Sequence, residues 1–129
     1  MPNSDKQGKP KWITLDFDGE KFRVVRADGS NDKYAAITEK RLRPYKRRID
    51  KGKLNPEIAL RLTAGIFADS VIIGWAGVKD DQGQELPFTR DGVIKRMLAY
   101  PALFQDIQEQ SRILENFREE DIKEVVTTE

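Results

Sequence analysis

Residues 12–26 read WITLDFDGEKFRVVR. Ile13, Leu15 and Phe17 fall on one side of an extended chain, and Trp12, Thr14 and Asp16 on the other. That period of two predicts a half-buried strand. Asp18-Gly19 suits a type I′ turn, whose two central residues need positive φ. Phe22, Val24 and Val25 resume the apolar pattern beyond it, so residues 11–26 are expected to form a β-hairpin. The hairpin decides the fold class, because most of the chain beyond residue 31 reads as helix. The expected fold is α+β, mainly α: an N-terminal hairpin followed by about four helices.

Downstream, Ala27-Asp28-Gly29-Ser30 reads as a turn, and Asn31 or Asp32 can cap the next helix. Helix one is expected from about Asp32 to Ile49, with Tyr34, Ala35, Ile37, Leu42, Tyr45 and Ile49 roughly on one face. Pro44 lies inside it and should kink or split it. Asn55-Pro56-Glu57 is a helix start: a cap, a proline in the first turn and an acid at the positive end of the dipole. Helix two is expected to reach Ile72 or Ile73, with Ile58, Leu62, Ile66, Phe67 and Val71 inward. A second, short hairpin is expected near residues 75–88, around the Asp80–Gln84 turn. Thr89 caps helix three, about Arg90 to Tyr100. Pro101 opens helix four, whose stripe is Leu103, Phe104, Ile107, Leu114 and Phe117. The domain reading is a flexible tail over 1–10, one globular domain over 11–118 and an acidic tail over 119–129 that frays from helix four.

The 129 residues contain no cysteine and no histidine. That excludes disulfides, thiolate metal sites and the usual serine and cysteine hydrolase machinery. It also removes the commonest general base. A non-enzyme without cofactor or metal is the expectation. The apolar run Ala64–Val78 is interrupted by Asp69 and Ser70 and is too short to span about 30 Å of hydrocarbon. The polar start, MPNSDKQGKP, has no apolar signal-peptide core. A soluble, intracellular protein is expected. The net charge of +1 conceals two opposed halves. Residues 1–53 hold 15 Lys/Arg against 8 Asp/Glu, or +7, and residues 54–129 hold 8 against 14, or −6. Such a split favours self-association or docking on charged partners.

The densest basic segment runs Lys40-Arg41-Leu42-Arg43-Pro44-Tyr45-Lys46-Arg47-Arg48, continued by Lys51 and Lys53. Three readings stand open: a solvated helix face, a surface for an acidic protein partner, and a phosphate-binding surface on which Tyr45 stacks a base. The pI of 7.9 is lower than most nucleic-acid modules show. Asp80-Asp81-Gln82-Gly83-Gln84-Glu85 lacks the register of a calcium loop and reads as a hairpin turn. Trp75, between Gly74 and Gly77, reads either as a binding anchor or as a core or corner residue. No phosphate-cradling glycine motif occurs. The candidate partner-binding residues are therefore Arg43, Tyr45, Lys46, Arg47, Arg48 and Trp75.

Three stretches resemble a known family. They are Tyr34-Ala35-Ala36-Ile37 leading to Leu42–Ile49, Phe67–Val78, and Gly83–Thr89 together with Glu115-Asn116-Phe117-Arg118-Glu119-Glu120. In order and spacing they resemble the small tail assembly chaperones of long-tailed bacteriophages and prophages. The resemblance implies a non-catalytic assembly factor, largely helical, acting in the bacterial cytoplasm. It would bind the long helical tape measure protein and help recruit tail tube subunits around it. The divergence of that family means that no partner-contact residue carries over. Two other classes remain beside it: a structural tail completion or head–tail connector subunit, and a small nucleic-acid-binding regulator.

Overall fold

The computed structural model describes residues 12–117 and 124–126. The expected N-terminal tail lies outside the described residues, as does most of the expected acidic tail.

The hairpin forms as its alternation predicts. Strand β1 (Trp12–Phe17) pairs antiparallel with β2 (Glu20–Val25), with Leu15 opposite Phe22. Asp18 and Gly19 both take positive φ, 57° and 94°. The Gly19 N–H donates to Asp16 Oδ1 at 2.8 Å, which closes the turn. Ile13, Leu15, Phe22 and Val24 are fully buried on one face.

The helical part follows the predicted starts. Asn31 caps α1 (Asp32–Leu42), accepting from the Tyr34 N–H at 3.1 Å. Pro44 splits the first helix as expected: a 3-10 turn (Arg43–Tyr45) separates α1 from the short α2 (Lys46–Asp50). Asn55 caps α3 (Pro56–Ser70), with Pro56 in its first turn. Thr89 caps α4 (Arg90–Ala99), and Pro101 begins α5 (Pro101–Gln110).

Two boundaries differ from the sequence expectation. Helix α3 ends at Ser70, and Ile72–Ala76 is strand β3 on the outer side of β2. A register shift opposite Arg23/Val24 pairs Gly74 with Arg23 but Ile72 with Val24, so Ile73 is the extra residue of a bulge. Helix α5 stops at Gln110 rather than running through Phe117. A 3-10 turn at Leu114–Phe117 instead delivers Phe117 to the core. Beyond it, Glu124–Val126 is strand β4, parallel to β1, where a fraying acidic tail was expected. The sheet order is β3-β2-β1-β4. The second hairpin is reduced to one antiparallel bridge between Lys79 and Glu85, supported by the Leu86 N–H on the Val78 carbonyl at 2.8 Å.

The core lies between the inner face of this sheet and helices α3, α4 and α5. Phe67 on α3 is its hub, meeting Tyr34 of α1 and Phe104 of α5 edge to face at 6.0 and 5.4 Å. Val93 and Met97 of α4 and Ile107 of α5 complete it. The end of β3 runs against the tip of the hairpin. At Gly77 (φ 76°), a Cβ would collide with the Gly19 carbonyl oxygen, so only glycine fits there.

Candidate functional site

No residue of α1, the 3-10 turn or α2 is buried. α1 packs on α3, whereas α2 has its main contact with the turn that precedes it. Residues 43–53 thus form an exposed arm, and its composition makes it cationic. Arg43 pairs with Glu39 at 2.5 Å and Lys46 with Asp50 at 3.7 Å, both one helical turn away. These side chains are 61–75% exposed, so each pair contributes little. The Arg48 guanidinium lies 5.7 Å from the centroid of the Tyr45 ring. Arg47 has no acidic partner among the described residues. Ile49, 39% exposed, adds an apolar side chain to this surface. Chemically the arm offers several weakly committed cations around Tyr45 and Ile49, which suits an acidic surface with an apolar patch.

Trp75 is not part of this arm. It sits on β3, with its Nε1–H donating to the Leu86 carbonyl at 3.0 Å. Its ring packs edge to face on Phe22 at 6.0 Å and on Phe88 at 5.5 Å. The indole is thus partly buried, with its polar atom satisfied. Thr14, Lys21 and Arg23, on the outer face of the sheet, line a depression of about 350 Å³ that Trp75 and Phe88 also border. On the same face Arg23 stacks over Trp12 at 4.7 Å, and Trp12 is 42% exposed. The structure therefore gathers Arg43, Tyr45, Lys46, Arg47 and Arg48 on two consecutive elements, the 3-10 turn and α2, and sets Trp75 apart on the sheet.

Two ionic clusters escape the sequence reading because their members are distant in the chain. Asp69, at the end of α3, takes a bidentate contact from Arg90 (2.7 and 3.0 Å) and a further one from Arg41 (2.6 Å). The hydrogen bonds from Arg90 hold its carboxyl below the ordinary aspartate range; partial burial opposes them and Arg41 reinforces them. Asp69 in turn raises the Arg90 pKa. The cluster ties the base of the arm to α4. Arg96 of α4 is bonded to Glu20 beside the hairpin turn and lies 4.5 Å from the Tyr100 ring centroid. It pins α4 to the sheet. Among the described residues no cluster of acidic side chains is placed to hold a metal ion, and no helix is long and apolar enough to cross a membrane.

The chain belongs to a prophage protein family: the family model described as YdaY prophage protein matches residues 29–127, which takes in the arm, α3, β3 and the remaining helices. No curated protein and no solved structure matches it.

Proposed function

We propose, with membership of a prophage protein family as the premise, that the chain is a non-catalytic tail assembly chaperone. It binds the tape measure protein in the bacterial cytoplasm and helps bring tail tube subunits to it, without cofactor or metal. The observation that carries this reading is the exposed cationic arm at 43–53, which lacks a buried residue of its own and whose ion pairs are weak. A chaperone for a long helical client works by covering amphipathic helices, and such helices are recognised by an apolar contact with charged flanks. Tyr45 and Ile49 supply the apolar contact. Arg43, Lys46, Arg47 and Arg48 steer acidic flanks to it. The sequence resemblance to phage tail chaperones supports the same assignment.

The test is co-expression with the tape measure and tail tube proteins of the same prophage, followed by affinity capture of the tape measure protein. The wild-type chain is expected to co-purify. The triple variant Arg43→Glu, Arg47→Glu, Arg48→Glu should lose about tenfold or more of that capture, as reversal of a steering surface does. Equal capture of both would overturn the role of the arm. Stoichiometric amounts of the chain in purified particles, measured by mass spectrometry, would instead make it a structural tail subunit.

A further inference from the structure

The fold presents two surfaces of opposite sign on one chain. The first is the arm. The second is a depression of about 600 Å³ beneath the loop that joins β3 to α4. Leu86, Pro87, Ala99 and Tyr100 are its apolar lining, and Asp80, Asp81 and Asp91 line it too. No residue of the arm lines it. We propose that the arm of one copy seats in this depression of a second copy.

Charge and apolar exposure both select that occupant. Two cations, Lys95 and Arg96, line the depression. Arg96 is committed to Glu20 and to the Tyr100 ring, and Arg90, which Asp91 also feels, is committed to Asp69; among the described residues, Lys95 is left as the cation that faces the three carboxylates without a carboxylate partner of its own. Asp80 accepts the Gln82 and Gln84 N–H groups at 2.9 Å, which orders the loop while its charge remains. Asp81 makes no ion pair among the described residues. Tyr100 is 48% exposed and Ile49 of the arm 39%, so each surface leaves a large apolar side chain in water. Seating the arm covers Ile49 and Tyr45 on Pro87 and Tyr100, and sets Lys46, Arg47 and Arg48 against the three carboxylates. A second copy is a partner that supplies both halves of this match, since the basic arm and the acidic loop belong to the same chain.

The two patches differ, so the joint is heterologous. Each added copy leaves one arm and one depression free, and growth continues until a ring closes or a filament forms. An acidic client would compete with the neighbouring copy for the arm. The joint itself does not rest on the chaperone reading and is tested without a client.

Sedimentation velocity of the purified full chain over a concentration series is the experiment. At about 50 mM NaCl the wild type should associate, and at about 500 mM the association should be largely lost, because exposed charges are screened at short range there. Arg47→Glu with Arg48→Glu should raise the dissociation constant by about tenfold or more, and so should Asp81→Lys with Asp91→Lys. The chain carrying all four reversals should associate again, because its surfaces are once more complementary. Far-UV circular dichroism and thermal melting establish that each variant is folded. A wild type that stays monomeric at low salt would overturn the proposal. So would a folded arm or loop variant that associates as the wild type does, or a folded fourfold variant that stays monomeric.

Discussion

Asp69 shows how much a single side chain can hold together. Its two oxygens serve Arg90 of α4 and Arg41 of α1 at once, so one carboxylate joins three helices. Its carboxyl is held below the usual aspartate range, chiefly by Arg90. The stabilisation is therefore fully present above the unfolded pKa of about 3.9. It is lost as pH falls through the lower folded value. Arg90 is 53% exposed, and solvent screening limits the gain. Asp69→Asn is expected to lower stability by about 1 kcal/mol at neutral pH. Urea unfolding of both proteins from pH 7 into the acid range checks it. The gap should close as the wild-type carboxylate protonates, and a gap that stays constant with pH would refute the ionic account.

At the scale of elements, Asn31 is the joint between hairpin and helices. Its Oδ1 caps α1, and its Nδ2–H₂ group donates to the Arg26 and Ser70 carbonyls, each at 2.9 Å. The exit of β2, the start of α1 and the end of α3 thus meet on one buried amide. Asn31→Ala removes a cap worth about 1 kcal/mol and leaves two carbonyls without their donor, so a loss of about 2–3 kcal/mol is expected. Asn31→Ser should restore about 1 kcal/mol of this by recovering the cap alone. Urea midpoints at unchanged m-value measure both. The cap was legible in the sequence, because asparagine before a periodic segment is a local signal. So were the hairpin, with its period of two and its Asp18-Gly19 turn, and the break at Pro44. Strand β3 was not. Val71-Ile72-Ile73 continues the apolar pattern of α3, and a short unbroken apolar run reads equally as buried helix or buried strand. The deciding partner is β2, which needs pairing on its open side and lies some fifty residues earlier. The end of α5 was hidden for a related reason: Leu114 and Phe117 keep the helical spacing although Phe117 reaches the core from a 3-10 turn. In the candidate site, the cationic character of the arm was written in its composition. Its exposure was not, since that depends on α2 having its main contact, among the described residues, with the turn that precedes it. Trp75 was equally ambiguous, because its partners, the Leu86 carbonyl and the Phe22 and Phe88 rings, are brought to it by the fold.

Across the whole molecule, the apolar core and the cationic arm reside in different places. The core is apolar and lies between sheet and helices, with Phe67 in contact with rings from two other helices. The arm contributes no buried residue to it. This separation predicts that the arm can be rewritten without unfolding the chain. Arg43→Glu breaks its pair with Glu39 and puts like charges one turn apart, a cost of about 0.5 kcal/mol. Arg47→Glu and Arg48→Glu reverse charges that face solvent and, for Arg48, remove one cation–π contact with Tyr45, itself worth about 0.5–1 kcal/mol at an exposed site. The three together should therefore destabilise by about 1 kcal/mol, with part of that offset by relief of repulsion within the basic segment. Phe67→Ala, in contrast, empties the centre of the core and should cost about 3–5 kcal/mol. Thermal melting of the two variants beside the wild type separates the cases. A shift of a few degrees for the arm variant against a collapse of the transition for Phe67→Ala is expected. If the arm variant melts as low as Phe67→Ala, the arm is part of the folding unit, and loss of binding on charge reversal would have to be read as loss of structure.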